Sequence, residues 1–210
     1  MKFYDRMDAG QQLAKELTFE TDEDVLVLAL PRVGVPVGVE IAKFLDVPLD
    51  MVITQKIGAP TNPEYAIGAI AENAKPLLNK VETAKVDAGW LAKEIAAKEQ
   101  EIQRRRELYF ENHARQSIKG KTIVLVDDGI ATGYTILAAI EEVQQQSPKK
   151  LILAVPVIPK EMDLQLRMKV DEIVALDVPE YFLGAIGAYY EEFHQLSDME
   201  VRHLLNETRK

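Results

Sequence analysis

Val124–Thr135 reads VLVDDGIATGYT: an apolar run, two adjacent carboxylates, a turn of small and hydroxyl residues, and the first residues of a helical pattern. A buried strand that turns directly into a helix is the repeating unit of parallel sheets. In an open parallel sheet, ligands bind at the carboxyl ends of the strands. This stretch therefore decides the expected fold, and it is also the first place to look for a functional site.

The same alternation of apolar runs and helical patterns extends along the rest of the chain. The runs are rich in Val, Ile and Leu with little polar alternation, which is typical of strands covered on both faces: Val25–Leu30, Met51–Thr54, Ile123–Val126, Leu151–Val157 and Glu172–Leu176. Helices are predicted at Pro36–Leu45, Ala88–Gln116, Gly133–Gln146 and Ser197–Asn206, the last with a capping box. The sequence therefore predicts an α/β fold with a doubly wound, mostly parallel sheet.

The composition excludes several classes of protein. At about 150 residues per domain, 210 residues suit one domain, and 47% hydrophobic residues can build its core. The net charge of -9 argues against nucleic acid as a partner, and the absence of cysteine excludes disulfides and thiolate catalysis. The apolar runs are too short to span a bilayer, and Met1–Gly10 has no apolar signal stretch. We therefore expect a cytoplasmic protein with no membrane partner.

The residues of Val124–Thr135 suit a phosphorylated sugar. Backbone N–H groups of Ala131–Thr135, at a helix N-terminus, form a cradle for an anion, and the two threonines add hydroxyl donors. Asp127 and Asp128 do not suit a phosphate, but they suit sugar hydroxyls or a hydrated Mg²⁺. The alternative is that the two acids only cap the helix, although one cap requires one acid.

Two other strand ends carry a cation. In Leu30–Gly38 the strand gives way to a Pro- and Gly-rich turn from which Arg32 projects, which predicts a second anion site or else a structural turn. In Thr54–Ala69, Lys56 precedes residues rich in Gly, Pro and polar side chains. That composition predicts a mobile loop that closes over a charged substrate, or else an ordinary surface loop.

Taken in this order, the three segments resemble type I phosphoribosyltransferases. The stretch with two acids is similar to that family's signature for 5-phosphoribosyl-1-pyrophosphate (PRPP). The Arg32 turn, the Lys56–Ala69 loop and the tail Gly184–Val201 further resemble a bacterial subgroup of uncharacterised phosphoribosyltransferase-domain proteins, from Phe3–Arg6 to Leu205. The resemblance implies one domain over residues 1–210, with a core at about 20–180 and a small hood from the N-terminal helix and the C-terminal tail.

The resemblance also implies a role for each site residue. Asp127 and Asp128 bind the ribose hydroxyls and Lys56 neutralises pyrophosphate, and these three with Arg32 are the implied catalytic residues. The 5-phosphate contacts are Ala131, Thr132, Gly133, Tyr134 and Thr135, and the pyrophosphate loop is Arg32, Val33 and Gly34, where relatives often have a strained or cis peptide bond. Mg²⁺ is the implied cofactor, held mainly through the ligand, with Asp127 or Asp128 as its protein partner.

Two residues depart from the family pattern. The subgroup usually has Gly in the place of Val33, and a β-branched residue there limits unusual dihedral angles. Hypoxanthine- and guanine-type relatives carry an acid in the place of Ala131, whereas adenine-type relatives have Ala. Since Ala131 cannot transfer a proton, the resemblance does not fix the acceptor base.

The implied reaction is the displacement of pyrophosphate from C1 of PRPP by a nitrogen nucleophile of a nucleobase-like acceptor, in nucleotide salvage, by a homodimer. One alternative is a PRPP- or nucleotide-binding regulatory module without transferase activity. Another is a response-regulator-like receiver, in which paired acids also follow a strand, although there they lie near the N-terminus.

The chain ends supply the remaining candidates. Gly10–Leu17 and Pro179–His194 are the predicted hood, and its aromatic residues either stack on a planar acceptor or pack the tail onto the sheet: Phe182, Tyr189, Tyr190 and Phe193. The three histidines lack metal-ligand spacing, so no histidine metal site is predicted: His113, His194 and His203. We expect His203 to be solvated on the last helix.

Overall fold

The computed structural model describes residues 2–110 and 115–208. In chain order its elements are α1 (Arg6–Glu16), β1 (Val25–Ala29), α2 (Val35–Leu45), β2 (Leu49–Met51), β3 (Thr54–Ala59), β4 (Asn62–Ala71), β5 (Leu77–Leu78), α3 (Lys80–Thr83), α4 (Ala88–Phe110), β6 (Thr122–Val126), α5 (Tyr134–Gln145), β7 (Lys150–Val157), α6 (Lys160–Leu166), β8 (Glu172–Asp177), a 3₁₀ turn (Ile186–Tyr189) and α7 (Asp198–Thr208).

Five parallel strands form the central sheet, in the order β2-β1-β6-β7-β8. Every residue of β1 and β6 is buried, as expected of apolar strands covered on both faces. Val25 and Val27 pack in one core with α1 and α2, whereas Leu26 and Leu28 pack in another with α5. Because helices cover both faces, the predicted α/β fold with a doubly wound parallel sheet is confirmed. Ala29 of β1 pairs with Val126 of β6, so the loops after these strands start side by side.

Two expectations about the segment after β1 are wrong. The strand predicted at Met51–Thr54 ends at Met51 as β2, and Thr54 instead begins a three-stranded antiparallel sheet, β3-β4-β5. The predicted loop after Lys56 is a β-hairpin, formed by β3 and β4. Its glycines and prolines favoured a loop, but buried isoleucines hold the hairpin against the core: Ile57, Ile67 and Ile70.

The helices keep close to their predicted positions. α2 and α5 begin within one residue of the predicted starts. Before α7 the predicted capping box is present, because Ser197 N donates to Glu200 Oε2 at 2.7 Å and Glu200 N donates to Ser197 Oγ at 3.2 Å. α4 is described as far as Phe110, residues 115 and 116 of the prediction are not helical, and residues 111–114 lie outside the described residues.

The two chain ends meet at the carboxyl edge of the sheet. α1 begins at Arg6, earlier than the predicted Gly10, because the side chain of Asp5 caps it. Just before it, Phe3 forms a parallel bridge with Tyr190 of the C-terminal tail. Within the two described ranges, no helix is both long enough and apolar enough to cross a membrane.

Candidate active site

The loop after β1 packs directly on the first acid of the loop after β6. A Cβ on Gly34 would lie 2.8 Å from the carbonyl oxygens of Leu30 and Val126 and 3.0 Å from Asp127 Cα, so only glycine permits this approach. The peptide bond between Pro31 and Arg32 is cis. The Arg32 turn and the acid pair therefore belong to one site, as the order of the sheet requires.

A cavity of about 180 Å³ opens at the loop after β6. It is lined by Asp127, Gly129, Ile130, Ala131, Thr132, Gly133, Thr135, Ile136 and Ile186. Gly133 has φ 76°, in the left-handed region, and is the N-terminal cap of α5. Because Gly133, Thr135 and Ile136 all line the cavity, the N-terminus of α5 lies at its wall, which favours an anion there.

Tyr134, the other residue predicted to contact the 5-phosphate, has its side chain elsewhere. Its hydroxyl accepts a hydrogen bond from Asn79 Nδ2 at 2.9 Å, and its ring packs near Ala69 and Ala71 of β4. Only its backbone thus belongs to the turn that contains Thr132 and Thr135. The structure therefore brings four of the five predicted phosphate contacts onto the cavity wall.

The acid pair is almost fully buried. Asp127 is 9% exposed and Asp128 is 4% exposed, and Asp127 Oδ1 accepts the backbone N–H of Asp128 at 2.9 Å. Burial, together with repulsion by Asp128, raises the pKa of Asp127 well above its ordinary value. Burial also raises the pKa of Asp128, although Arg6 opposes this shift. A ligand that donates hydrogen bonds to these carboxylates would replace the hydrogen bonds from water that burial has removed.

Arg6, to which the sequence pattern gave no role, is the partner of Asp128. Its Nε donates to Asp128 Oδ2 at 2.8 Å, and its Nη1 donates to the carbonyl oxygen of His194 at 2.9 Å. Its guanidinium carbon lies 3.9 Å from the centre of the Phe193 ring. The hydroxyl of Tyr190 donates to the backbone carbonyl of Asp128 at 2.6 Å. The contact between Arg6 and Asp128 joins residues 122 positions apart, so no local sequence pattern could reveal it.

Arg32 and Lys56, the predicted pyrophosphate contacts, each face a carboxylate. Arg32 Nη1 lies 3.9 Å from Asp198 Oδ1 at the start of α7. Lys56 Nζ lies 2.9 Å from Glu64 Oε2 across the β3–β4 hairpin, where the Glu64 side chain is 92% exposed. The hydrogen bond and the charge of Lys56 lower the pKa of Glu64. Both cations thus have exchangeable carboxylate partners, and Lys56 is held by its own hairpin.

A second cavity, of about 220 Å³, lies between α1, α2, α7 and the tail. It is lined by Asp5, Arg6, Met7, Pro36, Glu192, His194, Leu196, Glu200, His203 and Leu204. Arg6 separates it from the acid pair, since this side chain lines the second cavity and also contacts Asp128. His203 is exposed, as predicted, and its Nε2 lies 3.1 Å from Glu207 Oε1.

The aromatic residues of the tail mostly contact one another. Tyr189 and Tyr190 are 2% and 3% exposed. For these two rings the structure therefore agrees with the alternative that they pack the tail and do not stack on an acceptor. Phe182 stacks on Tyr189 with ring centres 5.6 Å apart, and Phe193 stacks on Tyr190 at 5.0 Å. Phe182 and Phe193 keep partly exposed surface.

Acidic and histidine side chains are the candidate ligands for a metal ion. In residues 2–110 and 115–208, no three such side chains form a group that could hold a metal ion, and His113 lies outside these ranges. Mg²⁺ is commonly held by one or two carboxylates together with phosphate oxygens of a substrate. Asp127 on the cavity wall fits that kind of site.

Comparisons with known proteins agree with this geometry. The family model described as "Phosphoribosyl transferase domain" matches residues 3–190. Two curated relatives from Mycobacterium tuberculosis, each named "Putative phosphoribosyl transferase", are 40% identical over 212 residues, which is 99% of this chain and 47% of each relative. The chain thus spans about half the length of these relatives.

Solved structures show the same fold. The crystal structure of TT1426 from Thermus thermophilus has a TM-score of 0.82 and 39% identity, and all of both chains is covered. The AQ2163 protein from Aquifex aeolicus has a TM-score of 0.50 and 14% identity, over 82% of this chain and 74% of that one. At that identity the second likeness concerns the fold alone.

Proposed function

This chain belongs to the phosphoribosyl transferase domain family, and from that premise we propose that it transfers the 5-phosphoribosyl group of PRPP to a nitrogen atom of a nucleobase-like acceptor. The single observation that carries the proposal is the cavity after β6, where Asp127 and the N-terminus of α5 share one wall. A phosphorylated sugar has hydroxyls for the carboxylate and an anion for the helix terminus.

The reaction makes one bond and breaks one bond at C1 of the ribose. The lone pair of the acceptor nitrogen forms the new C–N bond, the C1–O bond to pyrophosphate breaks with its electron pair on oxygen, and the proton of the acceptor passes to solvent. Positive charge develops on the sugar ring and negative charge on pyrophosphate. The protein therefore contributes by orienting the reactants, excluding water and stabilising charge.

Arg32 and Lys56 are the proposed partners of the pyrophosphate. Arg32 lies 3.9 Å from Asp198, which is a long distance for an ion pair, and Lys56 is paired with the exposed Glu64. Each cation can therefore exchange its carboxylate partner for a phosphate oxygen. Exposed ion pairs of this kind are worth only about 0–1 kcal/mol, so the exchange costs little. When bound with PRPP, Mg²⁺ would neutralise charge on the pyrophosphate, with Asp127 or Asp128 as its protein ligand.

The acceptor is the open part of this proposal. Ala131 lines the cavity where an acid would assist proton transfer, so the transfer is proposed to proceed without a protein acid at that position. The hood formed by the chain ends, the single domain, the homodimer and the cytoplasmic location remain predictions.

A screen for pyrophosphate release tests the proposed function. The protein is mixed with PRPP and Mg²⁺ and offered purine, pyrimidine and pyridine acceptors in turn. With the correct acceptor, Arg32→Ala should lower kcat/KM by on the order of 10²-fold, as for the loss of one anion-stabilising donor. Arg167→Ala is the matched control, since Arg167 pairs with Asp163 on α6. Equal losses in the two variants would contradict the role of Arg32.

The second candidate is a module that binds PRPP or a nucleotide without transfer. The observation that favours it is that Arg32 and Lys56, the proposed pyrophosphate partners, are each already paired with a carboxylate. Calorimetry separates the candidates, because a binding module has a measurable Kd for PRPP but releases no pyrophosphate with any acceptor. In either case Asp128→Asn should weaken PRPP binding, and an unchanged Kd would remove Asp128 from the ribose site.

A further inference from the structure

We propose that Arg6 is a positioning residue for the ribose site: it fixes the acid pair so that the two carboxylates can accept the ribose hydroxyls. Recognition of the sugar would then depend on the N-terminal helix. The inference rests on the proposed function, because it assigns Arg6 a part in the binding of the same phosphorylated sugar.

The contacts of Arg6 define its orientation completely. Its Nε reaches Asp128 Oδ2, its Nη1 reaches the carbonyl of His194, and its planar face covers the ring of Phe193. A guanidinium offers donors in a rigid fork, so two simultaneous hydrogen bonds fix both its position and its plane. Because Arg6 is only 5% exposed, water does not compete for these contacts.

The fixed position is transmitted from Asp128 to Asp127. The backbone N–H of Asp128 donates to Asp127 Oδ1, and the backbone carbonyl of Asp128 accepts from the hydroxyl of Tyr190. Asp128 is therefore held at its side chain by α1 and at its backbone by the tail. Since Asp127 lines the cavity, a movement of Asp128 would also move the carboxylate that faces the ligand.

Arg6 also places a positive charge beside the two acids. Two adjacent buried carboxylates repel each other, and a cation bonded to one of them offsets that repulsion. Apart from each other, the charged or titratable groups around the two acids are Arg6 of α1 and Tyr190 of the tail. Of these, Arg6 is the cation. A carboxylate has room for more than one donor, so the bond from Arg6 is compatible with a bond from a hydroxyl.

The test measures how well the protein distinguishes ribose from sugars that lack a hydroxyl. Dissociation constants are measured by calorimetry for ribose 5-phosphate, its 2-deoxy and 3-deoxy analogues, and inorganic phosphate. For the wild type we expect ribose 5-phosphate to bind about tenfold more tightly than at least one analogue, as for a hydrogen bond to a charged group. Inorganic phosphate reports on the loop alone.

Three variants separate positioning from a general structural role. Arg6→Met should abolish the preference for ribose 5-phosphate and leave phosphate binding within about threefold of the wild type. Arg6→Lys keeps the charge and should keep part of the preference. Arg115→Met is the matched control, because Arg115 also pairs with a buried carboxylate, Glu142, and it should keep the full preference.

The outcomes are distinguishable. Full preference for ribose 5-phosphate in Arg6→Met, or an equal loss of phosphate and sugar binding, would overturn the positioning role. If Arg6→Met does not fold, Arg6→Lys decides the question, because an undiminished preference in that variant contradicts a role for the guanidinium fork. A wild type that binds neither phosphate nor ribose 5-phosphate would instead refute the proposed function.

Discussion

Gly133→Ala perturbs the turn that forms the anion cradle without changing any charge. Gly133 has φ 76°, which an L-residue adopts at a cost of about 1–2 kcal/mol. The new Cβ would also overlap Met162 Cε, which is the far end of a flexible side chain, so the methionine must move. Because a flexible side-chain end can give way, this overlap costs about 1 kcal/mol, the lower end of the overpacking range. We therefore expect the free energy of unfolding to fall by about 2–3 kcal/mol and the turn to shift.

Gly120→Ala is the matched control for this substitution. Gly120 has φ 75°, almost the same as Gly133, but a Cβ there would have no atom within 4 Å. The backbone cost and the lost entropy of the unfolded chain are then common to both variants. Their difference in unfolding free energy isolates the contact with Met162, about 1 kcal/mol.

Urea unfolding and calorimetry with inorganic phosphate give the two measurements. Gly133→Ala should weaken phosphate binding about tenfold or more, since a shifted turn misaligns donors that are short-range and directional. Gly120→Ala should bind phosphate as the wild type does. Met162→Ala, added to Gly133→Ala, removes the atom that the Cβ meets and should restore part of the stability and part of the binding.

Wild-type phosphate affinity in a folded Gly133→Ala variant would refute the role of this turn as the anion cradle. Equal stability of Gly133→Ala and Gly120→Ala would show that Met162 yields freely, and the packing part of the reasoning would be wrong.

Three further predictions concern other parts of the site. Because burial and Asp128 raise the pKa of Asp127, the folded chain holds that proton to a higher pH than the unfolded chain does. Above the ordinary pKa of an aspartate, the stability of the wild type therefore declines as pH rises, until Asp127 is ionised in the folded chain as well. Over that range Asp127→Asn should gain stability relative to the wild type. Urea unfolding at several pH values measures this difference, and a difference that does not change with pH contradicts the raised pKa. Lys56→Ala should lower the transfer rate by on the order of 10²-fold, whereas Glu64→Gln, which frees Lys56, should tighten pyrophosphate binding by up to about fivefold in calorimetry. Unchanged turnover in Lys56→Ala would show that Lys56 does not bind the pyrophosphate of the substrate. Tyr190→Phe removes the hydrogen bond to Asp128 and should cost about 1 kcal/mol of unfolding free energy, and a neutral effect would mean that this bond does not hold the loop.

Local patterns in the sequence were enough to predict the parallel sheet and its functional edge. The apolar runs at Val25–Leu30 and Ile123–Val126 had no polar alternation, and that pattern is typical of strands covered on both faces. The acid pair, the small residues and the helix start followed one another without a gap, so local geometry alone predicted the cavity wall from Asp127 to Thr135.

The hairpin and the partner of the acid pair depend on contacts between distant parts of the chain. The composition after Lys56 favoured a loop, yet β3 and β4 pair because the core accepts Ile57 and Ile67, and that burial is a long-range property. Arg6 lies 122 positions from Asp128, and the two meet only because the chain ends close over the carboxyl edge of the sheet. A buried charge is stabilised by an opposite charge that lies close to it in the fold. No local pattern in the sequence shows which distant residue will lie there.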